Sequence, residues 1–403
     1  MNLIMSHKTS ALIPALLLAC AARAWALPPS GEARPGVRDP LEAELDACYE
    51  RLPSLAEAPP FSHSDASAPR WRQVARLPEF KDDLLLSPVL SVAIPRTIDY
   101  WSQHPGATVS IADRSYSAAH IIRGLQALAQ VLGESTDASA LRRGLESRFD
   151  IYQSLPDAPG DGDQGTVTAY CTPDIRISPL PTPEAPAPIY SAPRSPVNFT
   201  RKEISEGKLA GQGLELGWAN LVDLMTTQVE GSAWGVSGGR RFLLSYDGGN
   251  GHAWRSVIGS LKACGIDLKR FPGCEGAASY AQELACMRAL PFNLQRKLVD
   301  LDPSYVFFRL ADGGPTGFLQ VELLAGRSIA VDRRVVPLGL PGLLASSRPA
   351  SGDFARIVFT HDVGGAIKGG GRVDLYAGEG PEAQTDCNGM HSPGRLYIFV
   401  LKP

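Results

Sequence analysis

Residues 360–376 read THDVGGAIKGGGRVDLY, a segment in which an apolar strand ends at an acid and a glycine-rich turn follows. The paired Gly364 and Gly365 let another backbone or a ligand approach closely, because they carry no side chain. Asp362 ends the strand, where neighbouring strands exclude water from its carboxyl group and raise its pKa. Such a group stays protonated and can act as a general acid. Asp374 follows on the next strand, which can return to the same region.

Each of these acids also has a structural explanation that the residues alone leave open. Asp362 can cap the turn through an Asx hydrogen bond, and Asp374 can be a solvated charge on a strand. A second motif, GVSGG at residues 235–239, matches G-x-S-x-G. It lies in a polar, turn-rich stretch without the strand-to-helix context of a nucleophile elbow. The catalytic hypothesis therefore rests on residues 360–376.

The amino-acid composition indicates the class of protein and argues against nucleic acid as a partner. The 403 residues are 44% hydrophobic and 20% charged, which is typical of a soluble globular protein with about two domains. Lys plus Arg (39) nearly balance Asp plus Glu (42), so the chain lacks the large basic field that binds nucleic acid. The counts of Gly (40) and Pro (33) favour a loop-rich, β-rich fold over a helical bundle.

The first 26 residues are typical of an export signal. His7 and Lys8 precede an apolar run at residues 11–22, and small residues follow. Two cleavage sites compete: LLAC at 17–20 resembles a lipobox that leaves a lipidated Cys20, whereas AWA at 24–26 is an A-x-A site that releases a soluble protein. We favour the lipobox. Residues 27–40, rich in Pro, Gly and charge, then form a flexible tether between a membrane anchor and the folded body.

The cysteines that follow Cys20 indicate an oxidising compartment, since they are even in number and can pair. Their pairing cannot be deduced from the sequence, and buried free thiols are the alternative. The sequence has no C-x-x-C pair and no two histidines at metal-ligand spacing, so it predicts neither a metal site nor a cofactor. The six cysteines are Cys48, Cys171, Cys264, Cys274, Cys286 and Cys387.

Hydrophobic periodicity divides the folded body into a helical part and a β part. Apolar residues recur at helical spacing over 121–132, and Gly133 ends that helix. A second helix is capped by Asp137 and carries an apolar stripe of Leu141, Leu145, Phe149 and Tyr152. Short apolar runs separated by turn residues then predict the strands of a barrel, at 166–171, 241–246, 318–323, 328–331, 355–359 and 396–401.

Seven blocks of the sequence resemble the membrane-bound lytic murein transglycosylase A family, in the order in which that family has them. They cover most of the chain from about residue 140 onward. The blocks are RKEISEGKLAGQGLEL (201–216), VDLMTTQVEGS (222–232), SYDGGNGHAWRSVI (245–258), DPSYVFFR (302–309), GRSIAVDRRVVPLG (326–339), HDVGGAIKGGGRVDLYAGEG (361–380) and PGRLYIF (393–399).

The resemblance implies a mainly β fold with a helical N-terminal part, in which a double-psi β-barrel domain carries an inserted second β domain. With the export signal (1–26) and the tether (27–40), we expect a helical N-terminal part of domain 1 at 41–165. The inserted domain 2 is expected at 166–300, and the C-terminal barrel part of domain 1 at 301–403. The groove between the domains would hold a peptidoglycan glycan strand.

The resemblance also implies the reaction and its catalytic residue. The family's acid in the D-V-G-G-A-I-K-G block is Asp362 here. The implied reaction cleaves the β-1,4 bond between N-acetylmuramic acid and N-acetylglucosamine without water and leaves 1,6-anhydromuramic acid ends. Asp374 and the Gly364–Gly365 turn are candidates for stabilising the transition state. The implied location is the periplasm, with an outer-membrane lipid anchor.

Candidate sugar-binding residues lie in the family blocks, because aromatic rings pack on pyranose faces and amides bridge hydroxyl groups. For His252 and Tyr305 a structural role competes with sugar binding. The chain departs from the family where T-G-Y-Y-x-P is TAYCTP (168–173) and where the second Gln of Q-x-Q-G-S is Glu230. The candidates are Tyr170, Gln228, Gly231, Ser232, Tyr246, Asn250 and Lys368.

A different class of function is the alternative to the enzyme. A non-catalytic peptidoglycan-binding or wall-loosening envelope protein would keep the groove and lose turnover. The complete block around Asp362 argues for catalysis.

Overall fold

A computed structural model describes residues 40–55, 71–81, 88–157, 162–349 and 352–403. The expected export signal, with Cys20 and both cleavage sites, lies outside the described residues, as does all of the tether except residue 40. Within the described ranges, no helix is both long and apolar enough to cross a membrane.

The described residues form strands throughout and helices mainly in the first half and the middle. The helices are α1 Pro40–Leu55, α2 Val89–Gln103, α3 Ala118–Glu134, α4 Ala138–Arg148, α5 Arg201–Ser205, α6 Leu221–Glu230, α7 Val257–Ala263, α8 Tyr280–Ala289, α9 Phe292–Val299 and α10 Gly380–Gly389. The strands are β1 Trp71–Val74, β2 Thr108–Ile111, β3 Arg114–Ser117, β4 Phe149–Ser154, β5 Gly165–Thr172, β6 Asp174–Arg176, β7 Ala187–Tyr190, β8 Glu215–Ala219, β9 Ala233–Ser237, β10 Arg240–Gly249, β11 Val306–Ala311, β12 Ser328–Val331, β13 Pro341–Arg348, β14 Gly352–Asp362, β15 Arg372–Glu379 and β16 His391–Leu401.

Six strands close into a barrel, which confirms the predicted fold class. The order is β16-β13-β14-β12-β15-β5, and β5 pairs back onto β16 to complete the ring. Strands β4 and β1 extend the sheet beyond β16. The β12–β14 and β15–β5 pairs are parallel, and the others are antiparallel. Long apolar runs in β14 and β16 bury both faces of these strands, as expected inside a closed barrel.

Helices α2, α3 and α4 pack against the barrel in one hydrophobic core. The predicted stripe of α3 is confirmed, since Ile121, Leu125 and Leu128 are buried. Asp137 caps α4 as predicted, accepting a hydrogen bond from the Ala140 N–H at 2.7 Å. The stripe assigned to that helix was wrong in its second half. The helix ends at Arg148, and Phe149 and Tyr152 belong to β4, where both side chains are buried in the barrel core.

A second unit surrounds the four-stranded sheet β11-β10-β9-β6 and the β7–β8 hairpin. Helix α1 packs with this unit, although the sequence grouped it with the barrel. Disulfides join Cys48 to Cys264 and Cys274 to Cys286 within its core, and a third joins Cys171 to Cys387. Strand β5, at the expected start of domain 2, is a strand of the barrel sheet.

The predicted strand at 318–323 is wrong. The segment forms a turn, held by an isolated bridge between Thr316 and Glu322, and Gln320 has a positive φ of 58°. A residue in this left-handed conformation interrupts strand geometry. The turn instead passes beside the end of β14, where it contributes to the candidate site.

Candidate functional site

One face of the barrel sheet carries the polar residues of the segment 360–376. Asp362 on β14 and Asp374 on β15 are both register partners of Ala330 on the intervening β12. Directly paired residues share a sheet face, so the two acids flank a small residue on one surface. On β5, Thr168 pairs with Asp374. The sheet thus brings both predicted acids together.

The Asp362 carboxylate is fixed by three donors. Oδ1 accepts the N–H groups of Phe318 and Val363, each at 2.8 Å, and Oδ2 accepts the Tyr170 hydroxyl at 2.9 Å. Burial raises the pKa of Asp362, and these hydrogen bonds only partly oppose the rise. The group is therefore held in one orientation in a setting that favours the protonated form, as a general acid requires.

Asp374 is held by a polar chain across the strands. Its Oδ1 accepts the Thr168 hydroxyl at 2.6 Å, and Arg372 Nη1 donates to the same hydroxyl oxygen at 2.9 Å. Burial raises the pKa of Asp374, while the Thr168 hydrogen bond and the Arg372 charge lower it. The acid lies in the same polar patch as Asp362 and has its own partners.

Close backbone approach at Asp362 depends on a glycine that the sequence did not single out. A Cβ on Gly317 would lie 2.7 Å from the carbonyl oxygen of His361 and 3.1 Å from Cβ of Asp362. Its absence lets the 318–323 turn reach the acid. In the predicted pair, a Cβ on Gly364 would meet Ile367 Cγ1 at 2.6 Å, whereas Gly365 is exposed.

The second unit meets the barrel at the glycine-rich turn that follows Asp362. Trp254 is 41% exposed, and its Cβ lies 3.9 Å from the position that a Cβ on Gly365 would take. Tyr246 on β10 is 53% exposed. The Trp254 ring is thus exposed beside the glycine-rich turn that follows Asp362. Tyr246 was among the sugar-binding residues predicted from the sequence, whereas Trp254 was not. The aromatic ring of Trp254 is the sequence feature that could have identified it.

Several predicted sugar ligands are already used inside the protein. The buried Gln228 amide accepts from Arg201 and donates to the Val306 carbonyl at 2.9 Å. The buried Asn250 amide donates to two carbonyls and accepts the Tyr305 N–H at 2.9 Å.

The other residues of that set differ in their access to solvent. The Tyr305 ring is buried under the Arg201 guanidinium, 5.4 Å away, and the His252 ring contacts the Asn198 carbonyl at 3.1 Å. Gly231 is the left-handed C-cap of α6, and Ser232 after it is 8% exposed. Lys368 is exposed on the turn that follows Asp362.

The two departures from the family pattern touch each other. The Glu230 carboxylate accepts the backbone N–H of Cys171 at 2.8 Å, and the Cys171–Cys387 disulfide ties this point of β5 to α10. Burial raises the pKa of Glu230 to about 8, and the nearby Asp374 charge adds to the rise. The neighbouring Tyr170 holds Asp362, so the departures border the site.

The cluster of Cys171, Glu230 and Cys387 has the residue types of a metal site. The side-chain ligand atoms of Cys171, Glu230 and Cys387 lie within 4.8 Å of one another. Metal ions bind cysteine as thiolate, and both sulfurs here are joined in a disulfide. The Asp362 patch itself offers carboxylates that already accept hydrogen bonds from the protein.

Glu230→Gln makes the protein more stable than the wild type as the pH rises. In the wild type the unfolded carboxyl loses its proton near pH 4.5, whereas the folded one keeps it to about pH 8. Folding stability therefore falls between these values, by at most about 1.4 kcal/mol per pH unit. Glutamine can still accept the Cys171 N–H and does not titrate. Urea unfolding of both proteins at pH 5, 6.5 and 8 measures the difference, and a pH-independent difference would contradict the prediction.

Two family models match the chain. The MltA specific insert domain matches residues 166–309, and the 3D domain matches residues 327–400. Among curated proteins, membrane-bound lytic murein transglycosylase A of Vibrio cholerae is 33% identical over 259 residues, which are 60% of this chain and 68% of that protein. Its namesake from Escherichia coli is 32% identical over 247 residues, 59% of this chain and 66% of that protein.

Solved structures show the same fold. The crystal structure of membrane-bound lytic murein transglycosylase from Agrobacterium tumefaciens has a TM-score of 0.65 at 24% identity and covers 82% of this chain and 97% of that one. Escherichia coli MltA with bound chitohexaose has a TM-score of 0.65 at 22% identity, covering 85% and 98%. Together with the extent of the Vibrio cholerae match, these findings show that the chain belongs to the membrane-bound lytic murein transglycosylase A family.

Proposed function

We propose that Asp362 is the single acid and base with which this protein cleaves peptidoglycan glycan strands. Membership of the family makes the protein a peptidoglycan lytic transglycosylase, a lyase that acts on the β-1,4 bond between N-acetylmuramic acid and N-acetylglucosamine. The observation that carries the residue assignment is the Asp362 carboxyl group, which is partly buried, accepts three hydrogen bonds and precedes the glycine-rich turn beside Trp254.

In the first step, protonated Asp362 gives its proton to the glycosidic oxygen as the bond from that oxygen to the muramic C1 breaks. Positive charge then develops at C1. The three donors to Asp362 stabilise the carboxylate that this step leaves behind. Asp374, on the same sheet face, and the carbonyls of the Gly364–Gly365 turn are placed to stabilise that positive charge.

In the second step, the Asp362 carboxylate takes the proton of the muramic C6 hydroxyl while that oxygen bonds to C1. The product is the 1,6-anhydro sugar, and Asp362 regains its proton. Hydrolytic glycosidases need a second group as nucleophile or water activator. Here the substrate supplies the nucleophile, so one well-placed carboxyl suffices.

Contacts to the sugars divide into direct and supporting ones. We assign direct contact to the exposed Tyr246 and Lys368, and to Gly231 and Ser232 at the C-terminal end of α6. We assign the buried Gln228 and Asn250 to support, because their amides already bond to the protein. Tyr170 acts on Asp362 directly, since its hydroxyl is committed to that carboxylate.

Tyr170→Phe shifts the alkaline limb of the pH profile of kcat/KM to higher pH by about one unit. The hydroxyl stabilises the Asp362 carboxylate, so its loss raises the pKa of the acid further. Rates on soluble glycan strands between pH 4 and 9 measure the limb. The control is Tyr376→Phe, which removes a hydroxyl bonded to Thr172 at 2.9 Å and leaves Asp362 untouched. An unmoved limb in Tyr170→Phe would contradict the assignment.

The proposal also includes the domain organisation of the chain and its location in the cell. The inserted unit is assigned to residues 166–300 as the sequence predicted, although β5 at its start pairs into the barrel sheet and β11 of the second unit lies beyond residue 300. An export signal at 1–26 and lipidation of Cys20 would place the protein at the outer membrane, in the periplasm. Mass spectrometry of the mature N-terminus tests this: a diacylglycerol-bearing Cys20 supports the anchor, and a free amine on Leu27 removes it.

Digestion of purified sacculi tests the reaction itself. Products that end in 1,6-anhydromuramic acid, identified by mass, support the proposal. Reducing ends that have gained water would replace the anhydro mechanism with hydrolysis. Binding to sacculi without any product would favour a non-catalytic wall-binding protein.

A further inference from the structure

An unpaired arginine stands at the edge of the site, on the barrel side. Arg333 follows β12, is exposed, and makes no ion pair with any residue that the structure describes. Its neighbour Arg334 is bound to Asp332 at 2.7 Å, so the two adjacent arginines have different roles. The Arg333 guanidinium lies over the Phe318 ring, 4.8 Å from the ring centroid.

The residue whose ring lies beneath Arg333 also forms a backbone hydrogen bond to Asp362. Phe318 donates its backbone N–H to Asp362 Oδ1 at 2.8 Å, and its side chain is 46% exposed. An exposed phenylalanine with an arginine stacked on it limits the conformations of the guanidinium and leaves its edge N–H groups open. The Arg333 guanidinium is thus held near Asp362, and its N–H groups remain available to a ligand.

A second exposed cation belongs to the same edge. Lys368 lies on the glycine-rich turn, and the N–H of the next residue, Gly369, donates to Asp332 Oδ2 at 2.9 Å. That bond joins the backbone next to Lys368 with the residue before Arg333. Neither Lys368 nor Arg333 forms an ion pair with a carboxylate among the described residues, so both side-chain cations are open to an anionic ligand.

We propose that Arg333, supported on the Phe318 ring and assisted by Lys368, binds a free carboxylate of the peptide carried by the muramic residue being cleaved. The inference rests on the proposed function. Muramic residues of peptidoglycan carry a stem peptide on the lactyl group, and that peptide has free carboxylates. A guanidinium matches a carboxylate with two parallel hydrogen bonds, and a lysine adds a point charge. The site would thus distinguish peptide-bearing from bare glycan.

The test compares two ligands that differ only in the peptide. Full-length protein with Asp362→Asn, in which turnover is expected to fall about 10³-fold or more, is titrated with short glycan chains bearing stem peptides and with the same chains after amidase has removed those peptides. Adding Arg333→Gln weakens binding of the peptide-bearing ligand about 10-fold or more and leaves the bare ligand unchanged. Arg333→Lys keeps part of the affinity. Arg143→Ala, an exposed arginine on α4, is the matched control.

Each outcome is decisive. An equal loss of affinity for both ligands would make Arg333 a sugar contact or a structural residue. No loss of affinity for either ligand would show that Arg333 does not contact the substrate. Either result would overturn the inference. Turnover of the two substrates by Arg333→Gln in an otherwise wild-type chain gives a second readout, in which KM rises for the peptide-bearing substrate and kcat is unchanged. If wild type produces no anhydro ends while the binding difference persists, the proposed reaction fails and the carboxylate site stands.

Discussion

Asp362→Asn lowers the rate of anhydromuropeptide formation by about 10³–10⁴-fold. General acid–base catalysis by one group contributes up to about 10⁴-fold, and here one carboxyl carries both proton transfers. Asparagine has the same shape and can still accept the Phe318 and Val363 N–H groups through Oδ1. The fold and the binding of glycan are therefore kept, while the transferable proton is lost. The measurement is product release from sacculi, resolved by mass.

Two controls keep this result interpretable. The melting temperature of Asp362→Asn must match that of the wild type, which separates lost chemistry from lost folding. Asp374→Asn should have a smaller effect on rate than Asp362→Asn, because Asp374 is placed to stabilise charge and transfers no proton in the mechanism. A variant at 362 that keeps a tenth or more of wild-type turnover would rule out the single-acid mechanism.

Arg201→Met destabilises the protein by about 3–5 kcal/mol. Arg201 and Asp302 form an ion pair at 3.3 Å in which each side chain is 2% exposed. Arg201 also donates to the Asp302 carbonyl at 3.1 Å and to Gln228. Removing one partner of such a pair leaves an uncompensated buried charge, which carries a cost of this size. Urea unfolding of wild type and variant at pH 7 measures it.

The matched control is Arg270→Met. Arg270 pairs with Glu44 through two contacts, at 2.6 and 2.7 Å, on the surface of the same unit. Solvent screens an exposed pair, so its removal changes the free energy of unfolding far less. Similar losses in the two variants would show that the buried pair has no special role in holding α5 against the segment that precedes β11.

The sequence predicted the elements whose signals are local. Asp362 followed from a strand end beside a glycine-rich turn, and the stripe of α3 from helical spacing. Phe149 and Tyr152 were assigned to a helix because their spacing from Leu145 also fits a period near 3.6, whereas β4 pairing decides their conformation. Short apolar runs predicted the strands of a barrel, and the family resemblance implied that the barrel domain carries an inserted second domain.

The partners of the site residues could not be read from the sequence. Thr168 meets Asp374 across a separation of 206 residues, and Phe318 reaches Asp362 from a turn that the alternating pattern had made a strand. Register between distant strands is set by the packing of the whole sheet. The same holds for the disulfides, since two of the three link residues 216 positions apart.

The pairing of β5 with β15 and β16 has a consequence for the timing of activity. The strand that carries Tyr170 and Thr168 must wait for the last strands of the chain before it has partners on either side. Closing such long loops is slow compared with forming local helices. The catalytic acid and the residues that hold it therefore come together only after synthesis of the C-terminus. We therefore expect a chain that ends before β15 to be inactive, because β5 then lacks both of its partner strands.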